Sequence, residues 1–424
     1  MTLGISLIDR AVGKIKEKLA NEFVSNLSWL GIAEVITRTF RIGVTVIVAR
    51  FLTPYDYGLV AIVATINEFA RVFMEVGIGA KIIQSEQRDI KDLCNSAYWL
   101  NWIIYIGIFI IQCLVAFPIA WFYRDRQLIF PICVAAIPYL IWPIAAIQCV
   151  LIHRENRLKI SAVNNVVKNL TSYFLLGLFA FLGMGVWSFV LSWVFVAPID
   201  VFIYYNNHAW RPPKKITTTS WGDFFKFGRN IFGVHLLKTL RNNLDYLIVG
   251  RFLGIKELGL YFFGFNAGLG ISLSFINALN TALFPHLCKV RADGHEFQKR
   301  YLGSLKTIAK IIIPLVLLQA SLAPLYVPII FGKQWIAAIP ILVLICLSAI
   351  PRPFADAASL GLVAIGKPDL DLRWNVLFTA MFATALLIGI HWQAVGVATS
   401  VLLVHAVSLP LFTLWATRYI FQRS

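Results

Sequence analysis

The chain has 424 residues, of which 59% are hydrophobic and 14% charged, and its mean hydropathy is +0.74. A soluble domain carries about 25% charge, so this balance excludes a soluble enzyme, a secreted disulfide scaffold and a disordered chain. The formal net charge of +17 would suggest a nucleic-acid partner in a soluble protein. In a polytopic membrane protein it fits cation-rich cytoplasmic loops instead, and no nucleic acid is expected.

Residues 1–26 place Ile8, Val12, Ile15, Leu19 and Phe23 on one helical face and Arg10, Lys14, Lys16 and Lys18 around it. This pattern predicts a basic amphipathic segment lying on the inner leaflet. Apolar runs long enough to span a bilayer follow at 27–49, 58–81, 95–121, 128–151, 160–182, 185–205, 230–250, 258–284, 305–331, 335–364, 374–390 and 395–417. The expected fold is all-α, a multi-pass membrane protein with about twelve transmembrane helices. The loops between the runs are short. Alternate loops hold about four times as many Lys and Arg as the others, which puts both termini in the cytoplasm. Six scattered cysteines without CxxC spacing read as small buried hydrophobes.

A weak duplication divides the chain. Residues 50–60 read RFLTPYDYGLV and residues 251–261 read RFLGIKELGLY, matching in register at an offset of 201. Each copy joins the first run of a half to the second. This predicts an N-lobe of six helices over 27–205, a cytoplasmic linker over 206–229 and a C-lobe of six helices over 230–424. The halves keep the same orientation and would enclose a central cavity. Pro138 and Pro143 interrupt the fourth run, and Pro351 and Pro353 interrupt the tenth. Proline removes a helix donor, so both runs should kink at equivalent places.

Ionisable residues inside the runs are expensive and therefore functional candidates. The first run carries Glu34, Arg38 and Arg41 in one stripe, and the second carries Glu68, Arg71 and Glu75. The seventh carries Lys238, Arg241 and Asp245, beside Asn242 and His235. Lys168 shares a face with Ser161, Asn164 and Asn165, Lys310 lies in the ninth run, and Arg352 precedes Asp356 by one turn. Glu34–Arg38 and Arg241–Asp245 have the i,i+4 spacing of local ion pairs. Cations outnumber anions, and such a surplus would attract a phosphate or diphosphate. The candidate substrate-binding cations are Arg38, Arg41, Arg71, Lys168, Lys238, Arg241, Lys310 and Arg352. Glu34, Glu75 and Asp245 are candidates to couple a proton or sodium ion. HExxH, P-loop, GxSxG and paired-carboxylate motifs are absent, so neither a catalytic residue nor a metal or other cofactor is expected.

Segment 49–101, ARFLTPYDYGLVAIVATINEFARVFMEVGIGAKIIQSEQRDIKDLCNSAYWLN, resembles the N-terminal region of Wzx-type polysaccharide flippases of the multidrug/oligosaccharidyl-lipid/polysaccharide (MOP) superfamily. Segment 244–261, LDYLIVGRFLGIKELGLY, resembles the start of their second lobe. The resemblance implies two six-helix lobes around a cationic cavity that opens alternately to each side of the bacterial inner membrane. It implies translocation of an undecaprenyl-diphosphate-linked oligosaccharide for O-antigen or exopolysaccharide synthesis. Arg38, Arg41, Lys238 and Arg241 would then bind the diphosphate, with Arg71 adjacent. Membrane lipids and the polysaccharide polymerase and export machinery would be its partners. The alternatives are a drug or cation antiporter of the same superfamily and a membrane-embedded polymerase or glycosyltransferase. A major-facilitator transporter is disfavoured because its Gly-x-x-x-Asp-basic-x-Gly loop is missing from 81–92.

Overall fold

The computed structural model describes residues 37, 40–74, 77–212, 215–218, 220–288 and 294–423. Regular structure among them is helical. The amphipathic segment expected over 1–26, and Glu34, Arg38 and Glu75, lie outside the described residues.

In chain order the helices are α1 (40–51), α2 (Pro54–Met74), α3 (Ile78–Gln84), α4 (Ile90–Phe122), α5 (Ile129–Ala135), α6 (Pro138–Ile141), α7 (Pro143–Arg154), α8 (Leu158–Phe181) and α9 (Trp187–Asn206). They continue as α10 (Trp221–Leu253), α11 (Ile255–Cys288), α12 (Gly294–Tyr326), α13 (Ile339–Ser348), α14 (Arg352–Ala364), α15 (Pro368–Gly389) and α16 (Gln393–Arg423). Among the described residues five stretches are long and apolar enough to cross a membrane: Ile90–Phe122, Trp187–Asn206, Gly294–Phe331, Lys333–Ala364 and Pro368–Gln422. A sixth is the pair Arg126–Ile141 and Pro143–Arg154, bent by 58°. The helices α2, α8, α10 and α11 occupy other expected positions; charged side chains interrupt α2, the first half of α8 and α10, whereas those of α11 are confined to its first turn. On α4, the side chains of Ile103, Ile106, Ile110, Leu114, Phe117 and Trp121 form one exposed stripe at helical spacing. An apolar stripe of that length faces lipid rather than water.

The prolines act as expected. Pro138 opens α6 and Pro143 opens α7, so the fourth run is broken there. Pro351 caps α14 and Pro353 sits in its first turn, so the tenth run is broken between α13 and α14. The five cysteines among the described residues whose thiols are placed are all free.

The chain forms two compact units. The first takes Met1–Val48, Ala70–Leu114 and Pro131–Val234. Its core joins Ile82, Cys94, Ala97, Ile147 and Phe224, with a second cluster of Ala70, Tyr105, Ala136 and Tyr139. Arg154 donates to the carbonyls of Ile82 (2.6 Å) and Ile83 (2.8 Å) and, with the Ser85 hydroxyl on Ile82 (2.8 Å), caps the C-terminal end of α3.

The second unit takes Ala49–Phe69, Val115–Phe130 and His235–Ser424. Here the two copies of the sequence repeat touch. A Cβ on Gly58 would lie 1.9 Å from the carbonyl oxygen of Ile255, and one on Gly259 would lie 1.6 Å from that of Pro54. Position 54 corresponds to 255 and 58 to 259 at the repeat offset. The repeat is thus a symmetric crossing of α2 and α11, and only glycine permits so close a backbone approach. Trp335, fully buried, stacks on Phe263 at 4.0 Å and donates from Nε1 to the carbonyl of Ala49 at 2.7 Å. Arg50 donates to the carbonyls of Ile329 and Ile330 at 2.7 and 2.9 Å. Gly254, at φ +92°, makes the sharp turn from α10 into α11.

Candidate functional site

The second unit encloses a cavity of about 540 Å³ bounded by α2, α10, α11, α14, α15 and α16. All six helices contribute polar side chains to it, from Glu68 on α2 and Asn266 on α11 to Asp371 on α15 and His405 on α16. On α10, one turn separates Arg241 from Asp245, but they do not form the ion pair that their spacing suggests. Asp245 is buried and accepts from the hydroxyl of Tyr261 (2.9 Å) and the backbone N–H of Tyr246 (3.0 Å). Arg241 donates from Nη1 to the side-chain oxygen of Asn375 on α15. The reason is tertiary: packing brings Asn375 of α15 to Arg241 and Tyr261 of α11 to Asp245.

Between these residues Asn243 connects α10 to α2. Its amide donates to Glu68 at 2.7 Å and accepts from the hydroxyl of Thr65 at 3.2 Å. On the far side His405 of α16 is stacked by Phe378 and Phe382, each with ring centroids at 5.7 Å. Trp374 lies parallel to Phe412 at 4.6 Å. Three buried polar atoms on the lining have no hydrogen-bond partner in the protein: Nε of Arg352, Oδ1 of Asp371 and Nδ1 of His405. The lining holds four carboxylates, Glu68, Asp245, Asp356 and Asp371, against the guanidiniums of Arg241 and Arg352. The cationic surplus expected from the sequence does not lie in this cavity.

Of the candidate residues, the cavity gathers Arg241, Arg352 and Asp245. Lys238, one turn before Arg241, is exposed and off the lining, and Lys310 is exposed on α12. In the first unit Arg41 is half-buried and Arg71 exposed. Lys168 makes an ion pair at 2.6 Å with Asp200 of α9, a residue that the sequence reading did not single out. Asn164 donates to the same carboxylate, which is nearly inaccessible. A lone Asp in the otherwise apolar run 187–206 was the available signal for it. Among the described residues no group of three or more His, Cys, Asp or Glu side chains could hold a metal ion.

Residues 47–340 match the family described as "Polysaccharide biosynthesis protein". The chain belongs to that family. The resemblance read from segments 49–101 and 244–261 therefore holds. Among its relatives, the teichuronic acid biosynthesis protein TuaB of Bacillus subtilis is 24% identical over 84% of this chain and 74% of its own length. The lipopolysaccharide biosynthesis protein WzxC of Escherichia coli is 24% identical over 93% of this chain and 80% of its own. The succinoglycan biosynthesis transport protein ExoT of Rhizobium meliloti is 20% identical over 78% and 66%. Among solved structures, the lipid II flippase MurJ in an inward closed conformation has a TM-score of 0.76 at 14% identity, covering 93% of this chain and 89% of that one. An inward-facing multidrug resistance transporter of the MOP superfamily has a TM-score of 0.74 at 13% identity, covering 94% and 99%. The family member described here thus has the fold of membrane flippases and transporters.

Proposed function

We propose that the protein translocates an undecaprenyl-diphosphate-linked oligosaccharide repeat unit across the bacterial inner membrane, for O-antigen or exopolysaccharide synthesis. The observation that carries this reading is a polysaccharide-biosynthesis family match over residues 47–340 on a fold shared with a lipid flippase. Twelve helices in two six-helix lobes, 27–205 and 230–424, joined by 206–229 and with both termini cytoplasmic, would rock about the substrate. The lipid tail would stay in the bilayer. The protein would move its substrate rather than transform it.

The diphosphate needs a cluster of cations outside the carboxylate-rich cavity. Arg38, Arg41, Arg71 and Lys238 take that role, with Lys168 when it leaves Asp200. Arg241 and Arg352 bind the rest of the substrate's head group from the cavity wall, and Lys310 takes part only by reaching along its helix. Asp245, together with Glu34 and Glu75, would couple a proton or sodium ion. The polymerase and export machinery would receive the product.

The excess of carboxylates in the cavity favours a second reading, export of an organic cation. One experiment separates the two. Arg41, Arg71, Lys238 and Arg241 are each changed to Gln and produced at matched levels in a host deleted for its own polysaccharide flippase. The flippase reading expects surface polysaccharide with the wild-type chain, its loss in these variants, and no efflux of a cationic dye. Full polysaccharide in all four variants rejects the cation roles. Dye efflux without polysaccharide supports the second reading.

A further inference from the structure

The cavity of the second unit has a chemistry distinct from that of a phosphate site, and this difference identifies what it holds. We propose that it is a saccharide subsite, which takes neutral sugar rings of the lipid-linked glycan and leaves the diphosphate outside. This rests on the flippase reading for the source of the sugar, but not for the binding itself.

Three independent features support it. The first is charge. A diphosphate entering the cavity would meet four carboxylates and two guanidiniums, and in a low-dielectric wall that excess repels an anion. A neutral polyhydroxylated ring avoids that penalty; an organic cation is not repelled by this balance, and it is the unpaired donor Nε of Arg352, which needs an acceptor, that separates it from a sugar.

The second is the set of unsatisfied atoms. Nε of Arg352 can only donate and Oδ1 of Asp371 can only accept. Nδ1 of His405 does either, according to its tautomer, and His405 is only 4% exposed. Buried polar atoms are normally paired, so three on one lining point to a ligand that both donates and accepts around its rim. Sugar hydroxyls do this, and phosphate oxygens, which only accept, do not.

The third is the aromatic wall. Trp374, Phe378, Phe382 and Phe412 line the same cavity. Their stacking on one another and on His405 fixes the orientation of each ring. An aromatic wall beside carboxylates and amides matches a pyranose, which has an apolar C–H face and a hydroxyl edge. The volume of about 540 Å³ lies inside the range of small-molecule sites.

The test uses the full chain in nanodiscs and saturation-transfer NMR with methyl glucoside, methyl galactoside and N-acetylglucosamine. Inorganic diphosphate and tetraphenylphosphonium serve as competitors. At least one glycoside should receive saturation at its ring C–H protons, and neither competitor should displace it. Trp374→Leu and the milder Asp356→Asn, both checked for wild-type elution and melting, should weaken that binding by about fivefold to tenfold. Absence of signal from every glycoside overturns the proposal, as does displacement by diphosphate or by the phosphonium. Equal binding by both folded variants overturns it too. Sugar binding by a chain that fails to restore surface polysaccharide would refute the flippase reading alone. Restored polysaccharide without sugar binding would refute the subsite alone.

Discussion

The crossing of α2 and α11 gives a sharp prediction for Gly58→Ala. The added Cβ would stand 1.9 Å from the carbonyl oxygen of Ile255 and 2.8 Å from its carbon. Both are backbone atoms and have no rotamer to escape into. Restoring ordinary contact requires the helices to part by more than 1 ångström or so, with an overpacking cost of about 1–3 kcal/mol. At about 1.4 kcal/mol per factor of ten, the crossed arrangement loses roughly fivefold to 150-fold in population. The partner contacts strain with it: Arg50 on the carbonyls of Ile329 and Ile330, and Trp335 on that of Ala49. Gly259→Ala should behave alike, because its Cβ would stand 1.6 Å from the oxygen of Pro54. Gly43→Ala is the control, since nothing lies within 4 Å of its Cβ. Hydrogen–deuterium exchange in nanodiscs should rise over 50–62 and 251–263 in both variants and stay at the wild-type level in the control. Wild-type exchange and melting in Gly58→Ala and Gly259→Ala would show that the glycine crossing is not the populated state.

Further outcomes follow from other contacts. Asp200→Ala leaves Lys168 facing the bundle without its partner. The loss should be about 1–3 kcal/mol, below that of a fully buried pair because the lysine can reach water; a wild-type melting temperature would contradict this. Trp335→Ala should cost about 3–5 kcal/mol by opening a cavity. Trp335→Phe should cost only about 1 kcal/mol, because Gln334 still donates to the carbonyl of Ala49; equal losses in the two would refute the packing argument. Outside the membrane-spanning segments, slight burial raises the Glu155 carboxyl, but hydrogen bonds from His208 and Arg157 outweigh it and hold its pKa below the ordinary 4.5. Its contribution to stability is present above that value and disappears as pH falls through the lowered one. Glu155→Gln should therefore flatten the decline in melting temperature below about pH 4.5, and an unchanged acid slope would contradict the assignment.

Much of the fold was legible because hydropathy and proline act locally. Pro138, Pro143, Pro351 and Pro353 break their helices at the expected places, and the repeat at 50–60 and 251–261 marks two segments that meet in space. Partnerships were not legible. The i,i+4 rule paired Arg241 with Asp245, yet the partner of Arg241 is Asn375 and that of Asp245 is Tyr261. Helix spacing describes neighbours on one helix, whereas these contacts depend on which helices pack together. Asp200 was legible as a lone carboxylate in an apolar run, but its partners Lys168 and Asn164, on another helix, were not. The second unit's own cavity was not legible either, because its four carboxylates and two guanidiniums come from four helices that only the packing brings together.

Translocation itself is tested most directly in sealed proteoliposomes. The purified chain would be reconstituted with a fluorescent undecaprenyl-diphosphate-linked oligosaccharide, and the fraction oxidised by an impermeant periodate reagent followed over time. The account predicts that the protected inner-leaflet pool becomes accessible in vesicles containing the protein, and that it stays protected in empty vesicles. A protected pool that persists at the level of empty vesicles, with folded protein present in both orientations, would contradict it.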